Sequence, residues 1–149
     1  MSLSNKWPAI AATGLAGIIT GCLTFVSFVD VRSFLTHVDN KDTKIIQAHF
    51  PIWWPNGRDL MVPLLLSSTL AHGGAFWTTS NRNWAVSGIL LMLIGPYTGA
   101  VLGEDIETLR QAESSQVAET ARRFCNLHHV RLVMAAAGFS LSLLSLASL

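Results

Sequence analysis

The chain has 149 residues, of which 50% are hydrophobic and only 13% are charged, and its formal net charge is +1. This charged share is about half of that in soluble domains, so the composition indicates a single-domain, multi-pass integral membrane protein. The small net charge provides no basic surface for nucleic acid, and the two cysteines, Cys22 and Cys125, lack the spacing of a metal or redox site.

Four apolar segments predict an all-α fold, a membrane-embedded antiparallel four-helix bundle whose helices 3 and 4 extend beyond the bilayer. The whole chain, residues 1–149, forms one domain with spans at about 8–29, 60–77, 84–102 and 130–149. The run after Lys6 is longer than a signal peptide and lacks a cleavage site, which predicts an uncleaved first helix. Gly17 and Gly21 form a small-xxx-small pair that lets a second helix approach closely, within the bundle or in a homo-oligomer.

The first long connection, residues 36–59, contains the sequence Pro51-Ile52-Trp53-Trp54-Pro55. Two prolines this close do not suit a helix interior, so the segment is predicted to be a loop. Trp53 and Trp54 then either rest at the lipid headgroups as an aromatic belt or form a lid that stacks on an aromatic ligand.

The second and third spans contain polar side chains. Ser68 and His72 are four residues apart and share a helical face. A histidine at this depth must face protein, either as a hydrogen-bonded bundle residue, which is the commoner case, or as a ligand contact. In the third span, the sequence Gly95-Pro96-Tyr97-Thr98-Gly99 predicts a kink. Pro96 removes one backbone hydrogen bond of the helix. Tyr97 and Thr98 either donate hydrogen bonds to the carbonyls left without a partner or border a pocket.

The third connection is acidic and leads into the last helix. Glu104, Asp105 and Glu107 are typical of a solvated helix end. Ser114–Ser115 indicates a break and an N-cap, with Glu119 in the following first turn. A helix from residue 116 to the last residue would be about 50 Å long, well beyond the ~30 Å hydrocarbon core.

The charge distribution predicts the orientation of the bundle. Eight of the ten Lys and Arg residues lie on the side of the two long connections, which places these connections in the cytoplasm under the positive-inside rule. Nearly all polar residues near the membrane converge on the same end of the bundle. They are Asp30, Arg32, Trp53, Trp54, Arg58, Asp105, Asn126, His128 and Arg131.

The last span begins with the sequence Leu127-His128-His129-Val130-Arg131. His128 continues the helical face of Val117, Ala121 and Phe124, which should face the bundle, whereas His129 suits an interfacial position. A neutral histidine beside an arginine, with a carboxylate nearby, can take a proton from a phenol or carbon acid while the arginine stabilises the oxyanion. The same trio also fits a structural salt bridge, which the residues alone favour.

Together these motifs resemble a family of four-span membrane proteins that includes the fungal anthrone oxygenases. The motifs are Trp53…Gly57…Pro63, Pro96-Tyr97-Thr98 and Leu127-His128-His129-Val130-Arg131, and the similarity extends over essentially the whole chain. The resemblance implies oxidation of an anthrone to an anthraquinone by O₂ without an evident cofactor. It maps the His–Arg pair of the family on His128 and Arg131. The fungal proteins tend to have a polar Asn a few residues after the kink, whereas this chain has Glu104, Asp105 and Glu107 in that region. This difference bears on the identity of the substrate more than on the fold.

The leading hypothesis is therefore an oxygenase-like membrane enzyme that acts on a hydrophobic aromatic or polyketide-type molecule. His128 is the predicted base, Arg131 the anion stabiliser and Asp105 the group that orients them, with neither a cofactor nor a metal. The predicted substrate contacts are Trp53, Trp54, Tyr97, Thr98, Asn126 and His72.

The alternative is a non-enzymatic membrane protein, either an assembly partner or a binder of lipid or a small molecule. The two hypotheses predict different arrangements of the side chains. A pocket beside Tyr97 that contains His128 and Arg131 favours the enzyme, whereas side chains that point to the headgroups favour the alternative.

Overall fold

A computed structural model describes residues 6–111 and 115–149 of the chain. In these ranges the chain is helical and contains no strand, which confirms the all-α prediction. A π-helical turn, Val26–Asp30, joins the first two helices, and Leu93 alone separates the fourth from the fifth. The helices are α1 (Trp7–Phe25), α2 (Val31–Asp39), α3 (Thr43–Thr79), α4 (Arg82–Met92), α5 (Ile94–Arg110) and α6 (Val117–Ala147).

Four helical stretches are long and apolar enough to cross a membrane, as a multi-pass membrane protein requires. They are Trp7–Asp39, Thr43–Thr79, Arg82–Arg110 and Val117–Ala147. α1 and α4 each pack against both α3 and α6, and α5 packs mainly against α6, so the stretches form a bundle. Lys6 Nζ donates a hydrogen bond to the Leu149 carbonyl at 3.0 Å, which brings both ends of the described chain to one end of the bundle. We call this the terminal end, and the opposite one the loop end.

The bundle interior contains three layers of buried side chains. The layer at the terminal end is small and contains Ala9, Ala12, Ala75 and Trp84. The middle layer is aliphatic and contains Ala16, Ile19, Leu23, Leu65, Leu91, Ile94 and Ala135. The largest layer lies at the loop end, almost entirely beyond the predicted spans, and includes Phe34, Phe50, Ile106 and Phe124. The bundle therefore has a substantial aromatic core at the loop end.

Gly17 packs within the bundle. A Cβ added there would lie 3.2 Å from the Phe139 ring of α6. Of the predicted small-xxx-small pair, Gly17 therefore permits the close approach of α1 and α6. A Cβ added at Gly21 would meet no atom within 4 Å.

The prediction that Pro51-Ile52-Trp53-Trp54-Pro55 forms a loop is wrong, because α3 continues through this segment and through Pro63. A proline in a helix interior costs about 3 kcal/mol. Packing opposes this cost: Phe50 is fully buried, stacks on Trp54 at 6.2 Å between ring centroids, and meets Phe124 edge-on at 5.3 Å. Each aromatic pair contributes about 0.5–1.5 kcal/mol beyond the area it buries. Tertiary packing thus overrides the local preference.

The third span is interrupted at Leu93, three residues before Pro96, in the region where the sequence predicts a kink. Pro96 has no N–H, so a carbonyl one turn earlier loses its helical partner. The Tyr97 hydroxyl donates a hydrogen bond across the bundle to the Leu127 carbonyl at 3.1 Å. This hydrogen bond connects α5 to α6 next to His128.

The predicted break before the last helix falls partly outside the described residues, because Ser114 is not among them. Ser115 and Gln116 form a turn ahead of α6, and Glu119 lies in its first turn, where a carboxylate complements the helix dipole. The 31 residues of α6 correspond to about 46 Å. The helix therefore exceeds the ~30 Å hydrocarbon core, as predicted.

Candidate functional site

A cavity of about 290 Å³ lies within the bundle towards the loop end. Residues of α1, α3, α5 and α6 and the first residue of the π-helical turn line it. Its floor is buried and consists of Leu23, Leu65, Ile94, Ile106, His128 and Arg131. The size is at the lower end of the roughly 300–1,000 Å³ typical of small-molecule sites, and an apolar lining with a few polar groups is usual for them. The cavity therefore suits a small hydrophobic ligand.

His128 and Arg131 form the polar part of the floor and contact each other. Arg131 Nη2 donates a hydrogen bond to His128 Nδ1. A guanidinium has donors only, so Nδ1 must accept and the ring proton lies on Nε2. Nε2 donates to the Leu23 carbonyl at a long 3.4 Å. These contacts hold His128 as one neutral tautomer between α6 and the end of α1.

Arg131 is a buried cation whose charge is incompletely compensated. It is 5% exposed, its Nε has no hydrogen-bond partner, and no carboxylate pairs with it in the part of the chain that the structure describes. Its guanidinium carbon lies 5.4 Å from the centre of the Phe124 ring and 6.0 Å from that of Trp54. Such cation–π contacts are worth about 0.5–2 kcal/mol each, less than the cost of burying an unpaired charge. An anionic oxygen of a ligand would supply the missing partner.

Trp53 and Trp54 form the α3 wall of the cavity. Trp53 Nε1 donates a hydrogen bond to Asp30 Oδ2 at 3.0 Å, which connects this wall to the π-helical turn after α1. Single π-helical turns within helices are frequent at functional sites. Both indoles belong to a continuous aromatic cluster whose other members are Phe34, Phe50 and Phe124. The two indoles therefore belong to a packed helix, and not to a loop.

Five of the nine predicted site residues line the cavity, namely Trp53, Trp54, Thr98, His128 and Arg131. Thr98 Oγ1 also donates to the Ile94 carbonyl of its own helix at 2.7 Å. Tyr97 does not line the cavity, although its neighbours do, and it acts instead through its hydrogen bond to α6. The remaining three, Asp105, Asn126 and His72, lie elsewhere.

Asp105 does not lie beside His128. It is 3% exposed and borders a second, polar cavity of about 180 Å³ between α5 and α6. Its Oδ1 is 3.4 Å from Nη1 of Arg123, and its Oδ2 has no hydrogen-bond partner among the described residues. Neighbouring residues of a helix point in directions about 100° apart, so α5 presents Ile106 to the first cavity. No contact supports the predicted orienting role of Asp105.

Asn126 lies on the exposed side of α6, as does His129. The opposite face is buried and contains Val117, Ala121, Phe124 and His128, which confirms the predicted bundle face of this helix. Asn126 is therefore turned away from the cavity by the same periodicity that turns His128 into it.

His72 lies in a separate buried cluster towards the terminal end. Its Nδ1 donates to the Ser68 carbonyl at 2.7 Å, and its Nε2 lies 2.9 Å from the hydroxyls of both Ser87 and Ser142. Ser87 in turn donates to the Gly138 carbonyl at 2.6 Å. Both ring nitrogens thus have partners within the bundle. His72 borders a small groove between α3 and α4 and is absent from the cavity of His128.

Sequence reasoning missed the small and aliphatic residues that shape the cavity, above all Gly57, Met61, Gly95 and Gly99. Glycine is frequent in membrane helices, so its presence alone carries little information. The available signal was the spacing of Gly95 and Gly99, four residues apart on one helical face around Pro96.

Known proteins offer a further comparison. No curated protein and no solved structure matches the chain. Within the described residues, no group of three or more His, Cys, Asp and Glu side chains is placed to hold a metal ion. A family model described as anthrone oxygenase matches residues 50–141. This region includes the α3, α5 and α6 walls of the cavity and leaves α1 outside. Because the match covers more than half of the chain, the protein belongs to the anthrone oxygenase family.

Proposed function

We propose that this protein is a membrane-embedded oxygenase that oxidises an anthrone-like aromatic substrate with O₂ in the cavity above His128 and Arg131. The observation that carries the proposal is the buried guanidinium of Arg131, whose Nε lacks a partner on the floor of an apolar cavity. Membership of the anthrone oxygenase family supplies the reaction type.

The reaction converts a ring methylene into a carbonyl. The carbon loses two hydrogens and gains one oxygen atom of O₂, and the second oxygen atom leaves as water. Side chains can assist the first step, the removal of a proton from the methylene. The resulting carbanion is delocalised onto the carbonyl oxygen as a phenolate, and a donor aimed at that oxygen stabilises it. The electron-rich anion then reacts with O₂.

In our proposal Arg131 and His128 act as a coupled pair. Arg131 donates to the phenolate oxygen through groups that include its unpartnered Nε. If its Nη2 also leaves His128 Nδ1, that nitrogen becomes free to accept the proton from the substrate. Trp53 and Trp54 offer flat surfaces for the aromatic rings. Substrate binding and exposure of the base are thus a single event.

A second candidate is a small-molecule binder without catalysis. One observation favours it: His128 Nδ1 is engaged by Arg131, whereas a general base needs a free lone pair towards its substrate. A binder would use the same cavity and the same Arg131 contact. The two functions differ in whether bound anthrone is consumed.

The test is O₂ consumption by the purified protein in lipid nanodiscs with anthrone, together with the appearance of anthraquinone. We expect one O₂ per anthraquinone, and a rate about 100-fold lower for His128→Ala, because general bases contribute about 10²–10⁴-fold. The matched control is His129→Ala, which alters an exposed histidine one residue away. Anthrone that binds without consumption of O₂ above background would establish the binder. A full rate in His128→Ala would remove the base from its assigned role.

A further inference from the structure

The cavity opens on one side of the bundle. Its exposed lining residues are Arg58 and Val62 of α3 and Gly95 and Gly99 of α5, whereas His128 and Arg131 at the floor are 1% and 5% exposed. Every exposed lining residue thus belongs to α3 or α5. The opening therefore lies between these two helices.

The predicted spans place the opening at membrane depth. Val62, Gly95 and Gly99 fall within the predicted second and third spans, and Arg58 lies two residues before the second. Arg58 forms a salt bridge with Asp59 at 2.8 Å, as is usual at a headgroup boundary. One edge of the opening is thus polar and at headgroup level, whereas the rest faces the acyl chains. A ligand dissolved in the bilayer can reach it without crossing water.

The glycines of the bundle differ in the space beside them. A Cβ added at Gly88 would lie 2.8 Å from Cβ of His72, and one at Gly138 would lie 3.1 Å from the Leu91 side chain, so these two glycines permit close helix packing. A Cβ at Gly95 or Gly99 would meet no atom within 4 Å, yet both residues line the cavity. No packing contact requires a glycine there.

We infer that the substrate enters sideways from the bilayer between α3 and α5, and that Gly95 and Gly99 determine how large a ring system is admitted. The path from the opening leads to Arg131, whose buried Nε lacks a partner. Side chains at Gly95 and Gly99 would narrow the path without disturbing helix packing. The inference rests on the proposed function because it takes from it the class of ligand, a flat phenolic molecule. It does not require that this ligand is turned over.

The experiment measures binding in the absence of O₂, by quenching of tryptophan fluorescence in nanodiscs. The probes are anthrone, with three fused rings, and naphthol, with two. We expect Gly99→Leu to weaken anthrone binding at least about tenfold and naphthol binding by less than about threefold, because an overfilled site excludes the larger ligand first. Gly95→Leu should act in the same direction.

The matched control is Gly103→Leu, one turn further along α5. A Cβ at Gly103 also meets no atom within 4 Å, but this residue does not line the cavity. Binding of both probes should stay within about twofold of the parent, as expected for a change outside the site. Unchanged anthrone binding in both Gly95→Leu and Gly99→Leu would refute the role of these glycines.

The route is tested with a phospholipid that carries naphthol at the end of an acyl chain. This probe can reach the cavity only through the hydrocarbon region. We expect it to compete with free anthrone in the parent and in Gly103→Leu. In Gly99→Leu the probe should still bind within about threefold of the parent, because its two-ring group passes the narrowed path, whereas anthrone binding weakens. No competition in the parent would contradict lateral access. These readouts do not require catalysis, so a parent that binds anthrone without consuming O₂ refutes the oxygenase proposal and leaves the present inference intact.

Discussion

His72 and His128 are equally buried, each with 1% exposure, yet their surroundings differ in kind. Around His72, the Ser68 carbonyl accepts from Nδ1 and the Ser142 hydroxyl can donate to Nε2, so both ring nitrogens are satisfied. His128 also has a partner at each ring nitrogen, the Leu23 carbonyl at Nε2 and Arg131 at Nδ1, but the guanidinium of Arg131 lacks a partner for Nε and borders a cavity. Burial of a histidine therefore does not distinguish a site from a structural residue. An incompletely satisfied charge beside open space does.

The largest expected effect comes from His128→Asn. Asparagine Oδ1 can replace Nδ1 as the acceptor for Arg131 but cannot take a proton at neutral pH. We expect the rate of anthrone oxidation to fall about 10²–10⁴-fold, measured as O₂ uptake per folded protein. The thermal midpoint should change little, because the contact with Arg131 is kept. His129→Asn provides the control, and a His128→Asn variant with parental activity would contradict the distinction between the two histidines.

A stability effect is expected from Gly88→Ala in the other cluster. The new methyl group would lie 2.8 Å from Cβ of His72, so α3 and α4 must separate, at a cost of about 1–3 kcal/mol. Reversible unfolding in mixed micelles measures this loss. Gly73→Ala is the control, because a Cβ there meets no atom within 4 Å. Loss of activity per folded molecule in Gly88→Ala would mean that this region does more than hold the helices together.

The smallest effect is expected from Ser87→Ala. This change removes a hydroxyl that lies 2.9 Å from His72 Nε2 and donates to the Gly138 carbonyl. Hydrogen bonds between membrane helices contribute about 0.6 kcal/mol on average and up to about 1.7 kcal/mol, so a loss of about 1 kcal/mol is expected in the same unfolding assay. Ser140→Ala is the control, because that exposed hydroxyl bonds only within α6. A change in substrate affinity would connect the two clusters.

The overall bundle could be predicted because long apolar runs have few alternative structures in lipid. The face of α6 that contains Phe124 and His128 followed from helical periodicity. The helix through Pro51 and Pro55 could not be predicted, since it depends on the packing of Phe50 against rings distant in sequence.

The composition of the site was only partly predictable for a related reason. Asp105 and Ile106 are adjacent, and only the rotation of α5 decides which of them faces the cavity. The lack of a partner for Arg131 Nε is a property of the assembled bundle. No spacing in the sequence encodes it.

The most direct test of the central claim, that Arg131 awaits an anionic oxygen, is the absorption spectrum of a bound hydroxyanthraquinone at neutral pH. We predict that the parent protein binds this ligand with the red-shifted band of the phenolate. Arg131→Leu should bind it as the neutral phenol and should fold, because an apolar residue of similar size often replaces a buried charge without loss of stability. His72→Asn should retain the phenolate band. A neutral spectrum in the parent, or a phenolate band that persists in Arg131→Leu, would contradict this account.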